Sequence, residues 1–357
     1  MRHEMRRAWL EVDLGALRRN AVLLSRRTQA PLLPMVKSDA YGLGVEAVVR
    51  ALEELSPWGY GVATVAEGTQ LRDLGIRRPI LVFTPVLDVE FPDIRAMNLT
   101  PTLGDGGRIA AWNSSGGGAW HLAIDTGMAR AGVRWDRVAQ LHEAIAAQPP
   151  EGAFTHFHSA DRNDGSVDAQ QRRFSQAVAA LPHRPRYLHA ENSPGIERQS
   201  PSPWDLARPG VFLYGVGSGA GSAAEPEPVV SLHARIVELR DIDIGDSVSY
   251  GAMWRAARPS RIATVAAGYA DGIRRCLAGR GAALVNGYRV PIAGVVTMDM
   301  TMLDVTDIVC DVGATATFVG RQGDASLDLH DVAEAGDLSP YELLVGLRLR
   351  AARIYRP

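Results

Sequence analysis

Short apolar runs alternate with longer amphipathic stretches through residues 30–215, and this alternation constrains the fold more than any other feature of the sequence. Several intervening stretches, such as 65–72 and 138–142, show the helical spacing of apolar residues. Strands that alternate with helices form parallel βαβ units, and eight units predict a closed (β/α)8 barrel of the α/β class. The eight runs are residues 32–36, 58–64, 80–84, 99–103, 119–125, 153–157, 186–189 and 206–214.

A doubly wound open sheet is the alternative that the same alternation allows. That fold commonly has a glycine-rich phosphate turn after its first strand. No GxGxxG segment follows a strand here, so the barrel is favoured over the open sheet.

The pattern changes after residues 216–228, a segment rich in Gly, Ser, Ala, Pro and Glu that has the composition of a linker. Short strand-like runs then follow one another with few helices between them, which predicts a smaller, mainly β domain. We therefore expect a barrel over residues 10–228. The β domain is expected over 229–357, together with an N-terminal strand near residues 1–9.

Composition excludes several classes of protein. The 357 residues are 46% hydrophobic and 22% charged with a net charge of -2, which is typical of a globular protein and predicts no nucleic-acid or membrane partner. No apolar stretch is long enough to span a bilayer, and the N-terminus lacks the apolar core of a signal peptide. Two cysteines, Cys276 and Cys310, predict neither a disulfide framework nor a metal site. A soluble, cytoplasmic protein is the expectation.

Polar and cationic side chains lie within, at the end of or just after five of the eight apolar runs. The site of a barrel lies at the carboxyl ends of its strands, so these side chains are expected to meet at one rim. They are Lys37 after the first run, Arg130 after the fifth, His156 at the end of the sixth, Asn192 and Ser193 after the seventh, and Arg208 within the eighth.

Lys37 is the strongest candidate for covalent chemistry. A lysine at the end of an apolar strand loses hydration, which lowers its pKa and makes its amine a better nucleophile. Such amines form Schiff bases with carbonyl compounds, including the aldehyde of pyridoxal 5'-phosphate. A strand-end lysine that simply reaches solvent is the alternative.

The segment around Lys37 resembles the cofactor-lysine motif of the alanine racemase family, and the resemblance continues in order along almost the whole chain. The matching segments are 8–20 (AWLEVDLGALRRN), 34–44 (PMVKSDAYGLG), 125–132 (DTGMARAG), 155–161, 189–193 (HAENS), 208–215 (RPGVFLYG), 249–251 (SYG), 268–272 (GYADG) and 298–299 (MD).

That resemblance implies a pyridoxal-phosphate enzyme that racemises a small amino acid, most directly alanine, in a head-to-tail homodimer. Racemisation removes a proton from one face of Cα and returns one to the other, so it needs a base on each face. The resemblance makes Lys37 one base and Tyr250 of the neighbouring subunit the other.

The same resemblance implies further roles. Arg208 would donate to the pyridine nitrogen without protonating it, because a guanidinium keeps its charge at neutral pH. Arg130, Met298 and Tyr269 would contact the substrate. The remaining cofactor ligands would be Tyr41, Ser193, Gly210 and Val211 around the phosphate, with His156 and Asn192 near Arg208.

Three positions depart from the family's usual residues. Ala123 stands where many members have a carbamylated lysine that braces the arginine matched here by Arg130. Leu349 aligns with a C-terminal tyrosine that contacts the phosphate, although Tyr355 is close by. Leu43 replaces a common histidine. These departures affect the expected substrate preference more than the reaction type.

Other functions remain open from the sequence. A related racemase could act on serine or another amino acid in a specialised pathway rather than in cell-wall supply. A lyase or decarboxylase could share the fold, but it has no need of the two bases Lys37 and Tyr250. A non-catalytic pyridoxal-phosphate carrier would resemble the barrel alone. A metal site at His156 and His158 is disfavoured, since alternate residues of a strand point to opposite faces.

Overall fold

The computed structural model describes residues 6–218, 222–347 and 350–357. These residues form three sheets, one parallel, one mixed and one of only two antiparallel strands, with most helices packed around the parallel sheet. In the described residues the strands are β1 (Ala8–Asp13), β2 (Tyr60–Val62), β3 (Ile80–Val82), β4 (Thr100–Leu103), β5 (His121–Asp125), β6 (Val133–Arg134), β7 (Gly152–Phe154), β8 (Tyr187–His189), β9 (Val230–Ile242), β10 (Ser247–Val248), β11 (Trp254–Arg255), β12 (Ser260–Val265), β13 (Ala282–Val285), β14 (Tyr288–Pro291), β15 (Thr301–Asp304), β16 (Thr315–Gln322), β17 (Ala325–Leu327) and β18 (Ala352–Arg356).

Helices follow most of the barrel strands, and a few complete the second domain. The α-helices are α1 (Leu14–Thr28), α2 (Lys37–Tyr41), α3 (Val45–Glu53), α4 (Val65–Asp73), α5 (Phe91–Ala96), α6 (Gly106–Ser114), α7 (His142–Ala147), α8 (Ser166–Ala179), α9 (Ser193–Arg198), α10 (Leu329–Ala335) and α11 (Pro340–Gly346). Short 3-10 helices span Asp88–Glu90, Trp135–Leu141, Val211–Tyr214, Tyr250–Ala252, Tyr269–Asp271 and Arg275–Leu277.

The parallel sheet runs in the order β2-β3-β4-β5-β7-β8, and two irregular segments close it into a ring. Segment 32–36 makes backbone hydrogen bonds on both sides. On one side the Val36 amide donates to Gly61 O of β2 at 2.9 Å, and on the other the Leu33 amide donates to Ala207 O of segment 205–209 at 2.8 Å. Segment 205–209 in turn bonds to β8 through the amide of Asp205, which donates to Leu188 O at 2.8 Å. The predicted barrel followed by a smaller, mainly β domain is confirmed.

The first and eighth apolar runs form single bridges rather than full strands. Leu32 pairs with Ala207, and Met35 pairs with Gly61. Prolines within both runs, such as Pro34 and Pro209, lack the amide hydrogen that a regular ladder requires. The end of the eighth run turns into the 3-10 helix Val211–Tyr214 instead of continuing as a strand.

The second domain is built on the long strand β9, which pairs with β1, β12 and β16. Strand β1 also pairs in parallel with β18, near the end of the chain. Residues 10–13, which the sequence analysis assigned to the barrel, therefore lie in the sheet of the β domain. Their backbone hydrogen bonds go to strands on both sides of β1, so the sheet determines their place.

No helix in the described residues is long and apolar enough to cross a membrane.

Candidate active site

Lys37 lies half-buried where segment 32–36 ends, at the start of a left-handed turn. Ser38, Asp39, Ala40 and Tyr41 all have φ between 53° and 57°, and none of them is glycine. Left-handed backbone costs about 1–2 kcal/mol for each such residue, so surrounding contacts must hold this segment. We call residues 38–41 the left-handed turn.

The environment of Lys37 favours the neutral amine. Burial lowers the pKa of Lys37, and the positive charge of Arg130 lowers it further. The carboxylate of Glu67 opposes both effects. The amine therefore holds its proton less tightly than an exposed lysine does.

Contacts hold the left-handed turn at both ends. Glu67, in α4, accepts the amide hydrogen of Ser38 at Oε1 (2.7 Å). Asp39 accepts the amide hydrogen of Val45 at Oδ1 (2.8 Å) and pairs through Oδ2 with Arg353 of β18 (2.7 Å). The turn is thus supported by the barrel and by the last strand of the β domain.

Arg208 is 3% exposed, and its guanidinium lies among backbone carbonyls. One terminal nitrogen donates to His189 Nδ1 and to the His189 carbonyl, both at 2.8 Å. The other donates to the carbonyls of Thr155 (2.7 Å) and Ala190 (3.0 Å). Burial lowers the pKa of Arg208 to about 9, which still leaves the group protonated at neutral pH.

A chain of two buried histidines continues from Arg208. Because a guanidinium can only donate, His189 Nδ1 must accept and the His189 proton must sit on Nε2. That Nε2 lies 2.8 Å from His121 Nδ1, which makes Nδ1 the acceptor and leaves the His121 proton on its own Nε2. No partner for His121 Nε2 is present among the described residues. Burial and the charge of Arg208 keep the pKa of both imidazoles far below its usual value.

The sequence analysis missed His121 as a functional candidate and noted His189 only as part of a motif. His121 begins β5, at the opposite end of the strand from the polar residues that the barrel rule selects. Glu67 was missed because it belongs to a helix start, where a glutamate after Thr64 is sufficiently explained as a capping box. A buried histidine within an apolar strand was the available signal for His121.

His156 and Asn192 lie on the loops that follow β7 and β8. Burial lowers the pKa of His156 to about 3, and the charges of Arg208, Arg130 and Lys37 add to the effect. His156 therefore lies close enough to these three cations for their charges to act on it. Asn192 caps α9, since its Oδ1 accepts the amide hydrogen of Gly195 at 3.1 Å.

Ser193, Gly210 and Tyr41 form a small cradle at the same rim. The Ser193 hydroxyl oxygen accepts the amide hydrogens of Gly210 (2.8 Å) and Phe212 (3.3 Å), the residues on either side of Val211. A Cβ at Gly210 would lie 2.7 Å from the Tyr41 hydroxyl, so a larger residue would fill the space. Tyr41 itself stacks on Tyr214 with ring centroids 4.6 Å apart.

Arg130 is exposed on the loop after β5, and no side-chain hydrogen bond or ion pair holds its guanidinium in the described parts of the chain. Asp125 organises this loop, because its Oδ1 accepts the amide hydrogens of Gly127, Met128 and Ala129 at 2.9–3.0 Å. Ala123 is buried in β5 and offers no polar atom on its side chain. Only the backbone before Arg130 is braced by these contacts.

Tyr250, Tyr269 and Met298 belong to the β domain and are 75%, 39% and 53% exposed. The amide of Tyr269 donates to Thr297 O at 2.9 Å, next to Met298. The hydroxyl of Ser249 donates to Val295 O at 2.8 Å, which ties the segment of Tyr250 to the loop that carries Met298, between β14 and β15. The three side chains are thus presented to solvent from neighbouring loops.

Two residues near the C-terminus bear on the expected phosphate contact. Leu349 lies outside the described residues. Tyr355 donates its hydroxyl hydrogen to Leu43 O at 3.0 Å, two residues after the left-handed turn. This contact engages the Tyr355 hydroxyl with protein backbone.

The residues at this rim fit pyridoxal phosphate. The cradle at Gly210 offers the hydroxyl hydrogen of Ser193 and the amide of Val211, which lies between the two amides that donate to Ser193, and such donors suit a phosphate. Arg208 presents a fixed donor, and Lys37 presents an amine with a lowered pKa. The donor set matches an anionic, aldehyde-bearing aromatic ring.

Comparisons with known proteins point to one family. The alanine racemase N-terminal domain model matches residues 12–218, and the C-terminal domain model matches residues 229–355. An alanine racemase of Sorangium cellulosum is 38% identical over 99% of this chain and 100% of that relative.

Solved structures lead to the same family. Alanine racemase of Bacillus anthracis with bound L-Ala-P is 30% identical with a TM-score of 0.91, covering 99% of this chain and 95% of that one. The Bartonella henselae enzyme with covalently bound pyridoxal phosphate is 26% identical with a TM-score of 0.92, covering 98% and 100%. With both family models and a relative above 30% identity spanning almost the whole chain, this protein belongs to the alanine racemase family of isomerases.

Proposed function

We propose that this protein interconverts L- and D-alanine with pyridoxal 5'-phosphate, using Lys37 and the partner's Tyr250 as opposed bases. The observation that carries the proposal is the combination at one barrel rim of a lysine with a lowered pKa, the buried Arg208 and the cradle of Ser193 and Gly210. Each of the three suits a different part of the same cofactor.

When bound, pyridoxal phosphate supplies an aldehyde that links to an amine and a ring that withdraws electrons from the substrate Cα. Lys37 would carry that link. Ser193, the amides of Gly210 and Val211, and the Tyr41 hydroxyl would hold the phosphate. His156 and Asn192 would line the ring's surroundings next to Arg208.

Arg208 orients the ring without giving up a proton. Its two terminal nitrogens already donate to four acceptors in the protein, so the Nε–H is the donor left for the pyridine nitrogen. A guanidinium held in this way stays protonated, so Arg208 would hydrogen-bond the pyridine nitrogen without protonating it. That contact would limit electron withdrawal from the substrate and favour return of a proton to Cα over transfer to other positions.

Lys37 removes or returns the proton on one face of Cα. Its lowered pKa raises the share of neutral amine at neutral pH, and only the neutral amine can accept a proton. Arg130, whose guanidinium has no fixed partner in the described chain, is available for the substrate carboxylate. Together they would orient the substrate with one face toward the amine.

Tyr250 would serve the other face from a second subunit. Four large side chains of the β domain are exposed at 75%, 81%, 53% and 44%, namely Tyr250, Met253, Met298 and Met300. The hydrogen bond from Ser249 to Val295 joins the two loops that carry them. A concentration of exposed apolar side chains is typical of an interface. A head-to-tail homodimer would cover these residues and bring Tyr250, with Tyr269 and Met298, to the rim of the partner's barrel.

The test is deuterium incorporation at Cα in heavy water, measured for both enantiomers of alanine, serine, lysine and arginine. We expect incorporation into both enantiomers of alanine. In Tyr250→Phe, incorporation should fail when one enantiomer is the starting material and persist with the other. Equal incorporation from both enantiomers in this variant would remove Tyr250 from the mechanism.

A further inference from the structure

We propose that Glu67 is a positioning residue, which holds the left-handed turn and thereby aims the Lys37 amine into the site. The inference rests on the proposed function in one respect, the role of Lys37 as the cofactor lysine. Nothing in it requires Glu67 to touch cofactor or substrate.

Glu67 joins the ends of two neighbouring barrel segments. Its Oε1 accepts the amide hydrogen of Ser38, the first backbone donor after Lys37, at 2.7 Å. Its Oε2 accepts the amide hydrogen of Ala63, just beyond β2, also at 2.7 Å. Hydrogen bonds to an ionised carboxylate are stronger than those between neutral groups, so one side chain fixes both segments.

The contact between Glu67 and Ser38 acts on a residue whose backbone conformation is strained. Ser38 has φ 54° and ψ 48°, and the next three residues are left-handed as well. A serine released from this contact would favour negative φ, which would rotate the peptide that follows Lys37. The direction of the Lys37 side chain would change with that peptide.

The far end of the turn has its own supports, which do not act on the Lys37 side. Asp39 is held by Val45 and Arg353, and Tyr41 stacks on Tyr214. Loss of Glu67 should therefore release the first residue of the turn while the last remains anchored.

Glu67 also has an ordinary role that must be separated from this one. It forms a capping box with Thr64 at the start of α4, which by itself stabilises the helix. Glu90 offers a matched control, because its Oε2 accepts the amide hydrogen of Leu87 at 2.7 Å in a similar cap. Glu90 makes no contact with the left-handed turn among the hydrogen bonds of the described residues.

The experiment compares Glu67→Ala, Glu90→Ala, and Glu67→Ala combined with either Ser38→Gly or Ser38→Ala. Amide hydrogen exchange of residues 38–41, the visible circular dichroism of the cofactor-loaded protein, and kcat and KM for alanine are measured. Glycine adopts positive φ without strain and alanine does not, so the two double variants differ in what the turn needs.

We expect Glu67→Ala to lose exchange protection at the turn, to change the dichroism band, and to lower kcat by about tenfold or more through misplacement of the amine. Ser38→Gly should recover most of the loss, Ser38→Ala none, and Glu90→Ala should match the wild type in all three measurements. If Glu67→Ala does not fold, Glu67→Gln, which keeps one acceptor oxygen, should show an intermediate loss.

The proposal is overturned if protection and the dichroism band survive in Glu67→Ala, or if alanine and glycine at position 38 rescue equally. Its failure is distinguishable from failure of the proposed function. Borohydride reduction that leaves no adduct on Lys37 of the wild type would reject the cofactor role, whereas hydrogen exchange at the turn tests Glu67 without any cofactor.

Discussion

Buried titratable side chains surround Arg208, and their effects on stability have opposite signs. His121 is fully buried, and burial lowers its pKa to about 3. Glu191 is equally buried, and burial raises its pKa to about 7 against the attraction of Arg208. The pH dependence of unfolding should therefore divide into two contributions that single substitutions can separate.

His121→Asn should weaken the acid sensitivity of the fold. The wild-type histidine takes up a proton on unfolding below its ordinary pKa near 6.5, so its share of the stability is present above that pH and lost as the pH falls toward about 3. The free energy of unfolding from urea titrations should fall less steeply between about pH 6 and 4 in the variant, by up to about 1.4 kcal/mol per pH unit. His183→Asn at an exposed site is the control and should keep the wild-type slope. Equal slopes in His121→Asn and wild type would contradict the buried neutral imidazole.

Glu191→Gln should have the reverse dependence. A carboxyl with a raised pKa contributes stability that is full below its ordinary pKa near 4.5 and lost as the pH rises through about 7. The advantage of the glutamine variant in unfolding free energy should therefore widen by roughly 2 kcal/mol between about pH 5 and 8. Glu225→Gln, at an exposed position, should show no such widening. A constant difference across that range would mean that Glu191 titrates normally.

At the scale of single elements, the capping residues determine where helix α1 begins and ends. Helix α1 begins at a capping Asp13, whose Oδ1 accepts the amide hydrogen of Ala16 at 2.7 Å. It ends at Gln29, which has φ 57° and donates its amide hydrogen to Ser25 O at 3.0 Å. Glycine usually fills this position, so the end of α1 carries avoidable strain.

Gln29→Gly should raise the free energy of unfolding by about 0.5–1 kcal/mol, because glycine removes the cost of the left-handed conformation. Gln29→Ala should give no gain. Ala180 ends α8 with φ -83°, and there Ala180→Gly should lower stability by a similar amount. Chemical denaturation of the three variants is the measurement, and a gain at both positions would mean that the backbone angle is not the cause.

The type of an element was predictable from the sequence where its hydrophobic periodicity was strong. The first and last residues of the element were less predictable. The helix expected at residues 65–72 is α4, whereas the stretch at 138–142 spans the end of the 3-10 helix Trp135–Leu141 and the start of α7. The left-handed turn had no signal in the residue types, since Ser38 to Tyr41 contains no glycine. Contacts with Glu67 and Arg353, distant in sequence, stabilise it.

At the scale of the whole molecule, the two domains contribute different parts of the proposed site. The barrel holds Lys37 and Arg208, and the β domain presents Tyr250 to solvent. The sheet of the β domain also includes β1 and β18, so both ends of the chain return to it. In the proposed dimer, Lys37 and Tyr250 of one site come from different chains.

Mixing the inactive variants Lys37→Ala and Tyr250→Phe should restore racemisation. In a shared-site dimer that exchanges subunits, each heterodimer has one site with both defects and one intact site. Random exchange should then recover about a quarter of wild-type activity, since half of the dimers are mixed and half of their sites are intact. The measurement is activity after co-refolding, with each variant refolded alone as the control. No recovery despite demonstrated subunit exchange would show that both bases come from one chain.

The sequence by itself determined the alternation that makes the barrel, the run of strands that makes the second domain, and the ordered motifs that identify the family. These features are local, because apolar periodicity and short motifs depend on neighbouring residues. Only the tertiary structure decided that β1 joins the second sheet, that His121 continues the contacts of Arg208, and that Glu67 supports the turn after Lys37. Each of these depends on backbone or side-chain groups far apart in the chain, which find partners only when folding buries them together.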